Sequence, residues 1–166
     1  GRDDVADEGP TALRWHQQVR PYSPSSERGI VLLGFACDEG VKRNGGRVGA
    51  KDGPHALRKA LANLAWRSNH PVYDAGDIEC PGDDMETAQS ELANSVSLIL
   101  KAGHRPIIIG GGHEAAWGTY QGVASARPDK NIGSVNLDSH FDLRSNVRPN
   151  SGTAFKQISD SCLANG

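Results

Sequence analysis

No apolar run in this sequence approaches the roughly 20 residues that a bilayer-spanning helix requires, and no signal-peptide pattern opens it. Cysteine is scarce and odd in number: Cys37, Cys80 and Cys162 share no C-x-x-C spacing. That argues against a disulfide framework or a thiolate zinc site, and for a reducing compartment. An excess of one charge is also missing. A formal charge of −2 and a pI near 6.3 give no basic field for nucleic acid or an anionic membrane. The glycine-rich stretch 37–53 contains no Gly-Lys-Ser/Thr, so it is not a P-loop. These absences leave a cytoplasmic protein as the expectation.

What is present suits one α/β domain. The 166 residues are enough for a real core, and 37% apolar content with 20 glycines fits a loop-rich α/β chain better than a helical bundle. Residues 1–28 read as a polar N-terminal arm, with one amphipathic patch around Ala12, Leu13, Trp15 and Val19. From 29 to 166, strand and helix alternate. The strands fall at 30–35, 71–76, 106–109 and 132–137. The helices fall at 54–66, from a capping box at Asp83 and Glu86 to a C′ glycine at Gly103, and at 114–126. Such alternation predicts a parallel sheet with right-handed crossovers and helices on its faces.

Two stretches carry chemistry. In Asn136 to Arg144, an extended backbone would project Asp138, His140 and Asp142 from one face. Two carboxylates and an imidazole crowded together need a counter-charge, and these ligand types suit Mn or Zn. A polar strand end in water is the alternative. The second stretch, Ile107 to Glu114, ends a strand in three glycines followed by His113. A dinucleotide site would need G-x-G-x-x-G opening a helix and a ribose-binding acid beyond it, so His113 reads better as a metal ligand. Ligands of parallel sheets gather beyond the carboxyl ends of the strands, where both stretches lie.

Gly110-Gly111-Gly112-His113-Glu114 and Asn136 to Arg144 resemble two metal motifs of the ureohydrolases, the arginase and agmatinase superfamily. The pattern is most similar to the formiminoglutamase branch. A third glycine and a glutamate flank His113, where arginases usually have Gly-Gly-Asp-His-Ser. Phe141 and Arg144 sit within the second motif. Ser151 to Phe155 follows, where arginases place a loop ending in a catalytic histidine. The loop Asn44 to Ala50, leading to Gly53-Pro54, is similar to the family's first substrate loop.

The resemblance implies an arginase-like three-layer α/β/α fold, truncated after about four strands. It implies two Mn2+ ions that activate water to cleave the formimino C–N bond of N-formimino-L-glutamate, a step of histidine degradation. His113 would bind one ion and His140 the other, with Asp138 bridging and Asp142 completing the first site and orienting the nucleophile. Arg144, Ser151 and, more weakly, Thr153 would grip the substrate carboxylates. The partner would be a small-molecule amidine, and family members commonly form homo-oligomers. Glu114 reads as a helix-dipole residue, and His16, His55, His70 and His104 as surface or structural groups. The family's later Asp-x-Asp metal motif is absent through Gly166, and Asp160 is no substitute. The 166-residue polypeptide is therefore expected to bind Mn2+ weakly and to be inactive. Strand 132–137 would have to pair with 106–109, pair with another chain, or stay unordered. An agmatinase- or arginase-like hydrolase and a non-catalytic flavodoxin-like binding domain are the competing readings.

Overall fold

The computed structural model describes residues 9–145 and 148–165; residues 1–8 of the predicted arm lie outside them. Four parallel strands form one sheet in the order β1-β3-β2-β4. They are β1 (Arg20–Pro21), β2 (Ile30–Ala36), β3 (Val72–Glu79) and β4 (Arg105–Ile109). The helices are α1 (Trp15–Gln18), α2 (Glu39–Arg43), α3 (Gly53–Leu61), α4 (Met85–Lys101), α5 (Ala115–Ala126) and α6 (Ala154–Asn165).

The continuous apolar run of β2 is buried on both faces, as its composition predicts. Val31, Leu33 and Phe35 point to one side and pack with Met85, Leu92 and Val96 of α4. Leu32 points to the other and joins Val72, Ile109 and the edge-packed pair Trp15 and Trp66. The period of two thus divides one strand between two cores. Each fully buried Leu, Val or Phe contributes about 1.5–3 kcal/mol.

Helix α4 buries Met85, Ala88, Leu92, Val96 and Ile99, a 3-4-4-3 spacing that keeps one stripe on the sheet. Its cap is Asp84, whose carboxylate accepts the Thr87 N–H at 3.0 Å and the Thr87 hydroxyl at 2.7 Å. The expected Asp83–Glu86 box is off by one residue, because Thr87 rather than Glu86 occupies the position whose N–H reaches the cap. Gly103, with φ +86°, closes the helix as a C′ residue.

Three expectations need correction. Helix α3 ends at Leu61, not at residue 66. The next residues are drawn into the N-terminal segment, where the Trp15 N–H donates to the Leu64 carbonyl and the Trp66 N–H to that of Leu13. The stretch 132–137 forms no strand. Val135 and Leu137 are 85% and 96% exposed, because no layer is available to cover them, and pairing alone would not repay the entropy of ordering them. The third correction is an addition: α6, which the periodicity reading omits, packs on α5, with the Tyr120 hydroxyl 3.2 Å from Cys162 Sγ. No described helix is long and apolar enough to cross a membrane.

Candidate metal centre

At the carboxyl end of β4 the chain reverses through Gly110 and Gly111, with φ of +71° and +76°. A Cβ on Gly110 would lie 2.3 Å from Pro54 Cδ, and one on Gly111 2.3 Å from the Phe35 carbonyl oxygen. Only glycine allows both the left-handed backbone and this approach. The turn is then pinned by two hydrogen bonds, from the Gly111 N–H to the Ala50 carbonyl at 3.1 Å and from the Gly112 N–H to that of Cys37 at 2.9 Å. His113 leaves this anchored turn half-buried.

The second stretch reaches the same place by turning rather than by strand alternation. Asp138 accepts the His140 N–H at 2.7 Å, an Asx-type turn. Asn136 closes the loop by donating to the His140 carbonyl at 3.1 Å. Asp142 takes φ +50°. Its carbonyl accepts the N–H groups of Phe155 at 3.2 Å and Lys156 at 3.3 Å. These are otherwise orphan donors of the first turn of α6, so α6 holds Asp142 in place.

His113, Asp138 and Asp142 each offer a ligand atom within 4.8 Å of the other two. His113 Nδ1 touches Asp142 Oδ2 and lies 3.6 Å from Asp138 Oδ2. His140 departs from the expectation: its ring is 77% exposed and outside this group. The loop turns at Ser139, so residues 138, 140 and 142 do not share one face of a strand. His140 Nδ1 instead sits 3.2 Å from Asp138 Oδ1. Asp138 therefore presents one oxygen toward each imidazole.

The donor chemistry fits a divalent cation. Two carboxylates beside an imidazole repel one another unless a positive charge intervenes, and an N/O set of this kind suits Mn or Zn. The hydrogen bond from the His140 backbone N–H holds the Asp138 carboxyl below the usual carboxylate range, keeping it ionised and able to ligate.

Beside this group lies an open cleft of about 560 Å³, bordered by Val41, Asn44, Arg144 and Ser151. Arg144 Nη1 donates to Asn44 Oδ1 at 3.0 Å, and Asn44 Nδ2 donates to Ser151 Oγ at 3.2 Å. Asn44 is the residue a motif reading passes over; its only sequence signal is membership of the loop 44–50. Thr153 is a correction. It is buried, and its hydroxyl donates to the Asn150 carbonyl at 2.9 Å and accepts the Asn150 N–H at 3.0 Å. That hydroxyl shapes the turn before α6 and does not border the cleft. His16, His55 and His70 are exposed, whereas His104 is buried and accepts the Gly29 N–H at 3.2 Å. Glu114 is also buried. It makes no cap bond to α5, and its carboxylate accepts the Gly40 N–H at 3.0 Å.

A parallel α/β sheet with an imidazole and two carboxylates gathered beyond the end of β4 defines a protein of the layered α/β class with a candidate metal site. Residues 28–166 match the Arginase family, and the chain belongs to that family. It is 51% identical over 166 residues to a formimidoylglutamase of Chromobacterium violaceum, covering 100% of this chain and 53% of that protein. It is 53% identical over 171 residues to a formimidoylglutamase of Hahella chejuensis, covering 100% and 52%. Among solved structures, Trypanosoma cruzi formiminoglutamase with Mn2+ superposes with a TM-score of 0.73 at 33% identity, over 91% of this chain and 51% of that one. The chain thus spans about half the length of the curated relatives it matches.

Proposed function

We propose that the protein carrying this chain is a manganese hydrolase that cleaves the formimino C–N bond of N-formimino-L-glutamate. The products are L-glutamate and formamide, within histidine degradation. The observation that carries the reading is the convergence of His113, Asp138 and Asp142 within 4.8 Å, beside a cleft offering Arg144, Asn44 and Ser151. The names of the relatives support the substrate.

In this reading His113, Asp138 and Asp142 would hold one ion, and His140 with Asp138 would contribute to the other. Bound there, manganese supplies Lewis acidity and lowers the pKa of coordinated water toward neutrality. The chain's own groups do the rest. Asp142, fixed by the first turn of α6, orients the attacking water and accepts its proton. Arg144 offers a planar fork suited to a carboxylate, held at one corner by Asn44, and the Ser151 hydroxyl supplies a second donor. The substrate is a small amidine; we read no role for nucleic acid or membrane, and place the protein in the cytoplasm as a homo-oligomer.

The test is formamide release by the full-length protein, with Mn2+ and after chelation, on N-formimino-L-glutamate, agmatine and L-arginine. Metal-dependent formamide release from the first alone is expected. Urea from either of the others, or turnover indifferent to chelation, would overturn the assignment. The 166-residue polypeptide by itself should bind Mn2+ weakly and release no formamide. The His113 and Asp138 side chains remain about one third exposed, and only three described groups converge.

A further inference from the structure

The carboxylate of Glu114 is buried, yet it touches neither the cleft nor the metal group. Burial pushes its carboxyl above the usual range, and Oε2 makes no hydrogen bond of good geometry. A buried carboxylate so sparsely paired is less favourable than an apolar side chain of equal volume. What it supplies that leucine could not is an acceptor for the Gly40 N–H.

Gly40 is a junction. A Cβ there would lie 2.5 Å from Glu114 Cδ, so the first turn of α2 rests directly on this side chain. The Gly40 carbonyl faces the other way and accepts the N–H groups of Ser151 at 3.0 Å and Asn44 at 3.1 Å. Asn44 in turn bonds Ser151 and Arg144. The opposite end of Glu114 is equally fixed, because its carbonyl accepts from buried Gln89 Nε2 at 2.8 Å. One path therefore runs from the residue beside His113, through the backbone N–H and carbonyl on either side of the Gly40 Cα, to the groups lining the far side of the cleft.

We propose that Glu114 is a positioning residue for substrate: through Gly40 it sets the spacing between His113 and the Asn44–Ser151–Arg144 group. This rests on the hydrolase reading above. Its signature is on substrate affinity and not on metal affinity, since Glu114 holds α2 and the 150s turn while the three ligand side chains are held by other bonds.

The experiment uses the full-length, Mn2+-loaded protein. Glu114→Ala should raise KM for N-formimino-L-glutamate by about three- to tenfold, the weight of one hydrogen bond. It should leave kcat within about threefold and Mn2+ affinity by calorimetry unchanged, and amide exchange across residues 38–46 should speed up. Glu114→Gln keeps an acceptor facing Gly40 and should restore both KM and slow exchange. Gly40→Ala, whose added Cβ meets the Glu114 side chain first, should reproduce the KM rise. The proposal is overturned by an unchanged KM in folded Glu114→Ala, by loss of Mn2+ binding in step with activity, or by a Glu114→Gln as impaired as the alanine. If Glu114→Ala does not fold, the Gly40→Ala and Glu114→Gln pair decides on the same readouts. A wild-type protein that binds Mn2+ but leaves N-formimino-L-glutamate intact refutes the hydrolase reading and, with it, the KM claim. Exchange then judges the Glu114–Gly40 coupling alone, and equal rates in wild type and variant would refute it.

Discussion

Asp142 holds a left-handed backbone at φ +50°, a conformation that Asn tolerates nearly as well as Asp. Asp142→Asn therefore removes the charge that faces His113 while leaving the carbonyl to cap α6. We expect Mn2+ affinity to fall by on the order of tenfold or more, the scale seen when even outer groups of a metal site are lost, with the melting temperature unchanged. Isothermal titration and a thermal melt on the same samples check this; a large loss of stability would mean that the carboxylate is structural. A second residue-scale prediction concerns acid. Hydrogen bonds from the Arg43 guanidinium, at 2.6 Å and 3.0 Å, hold the Glu86 carboxyl below its usual range. A depressed acid stabilises the fold above the unfolded value, about 4.3 for Glu, and that contribution is lost as pH falls through the folded value. Glu86→Gln should therefore flatten the stability–pH curve below roughly pH 4.3 and lower the plateau above it, as read by chemical denaturation at several pH values.

At the scale of elements, legibility follows burial. β2 and α4 are readable because each is covered by chain present here, so its apolar period matches a real core. Leu92 lies at the centre of that core, and Leu92→Ala should cost about 2–5 kcal/mol of unfolding free energy, part of it from the cavity left behind. Urea denaturation measures it; a change under about 1 kcal/mol would show that the core collapses onto the gap. The glycine turn is equally legible, since three consecutive glycines after a strand favour a sharp reversal over any regular element. The stretch 132–137 misleads because an apolar run signals a strand only where neighbours exist to bury it. Helix α6 escapes a periodicity reading because its apolar stripe is weak: Ala154 and Ile158 are buried, but Leu163 is exposed.

For the whole molecule, the telling surface is the outer edge of the sheet. β4 pairs with β2 on one side only among the described residues, and Ile107 on it is 46% exposed. Val135, Leu137, Phe141 and Leu143 are exposed as well. An unpaired edge and exposed apolar side chains are templates for association. The isolated polypeptide should self-associate at micromolar concentration and bind a hydrophobic dye, and Ile107→Lys should suppress both. Sedimentation velocity and dye fluorescence test this; a monodisperse monomer with no dye signal would refute it.

The sequence by itself determined which residue types could hold a metal and that His113 follows the carboxyl end of a parallel strand, because motif chemistry and strand–helix alternation are local properties. Only the tertiary structure decided that His113 meets Asp138 and Asp142, that His140 faces the other oxygen of Asp138, and that Thr153 is spent on a turn. Those outcomes depend on how a loop bends at Ser139 and how the first turn of α6 captures the Asp142 carbonyl. Contacts of that kind lie between residues distant in sequence, where no periodicity reaches.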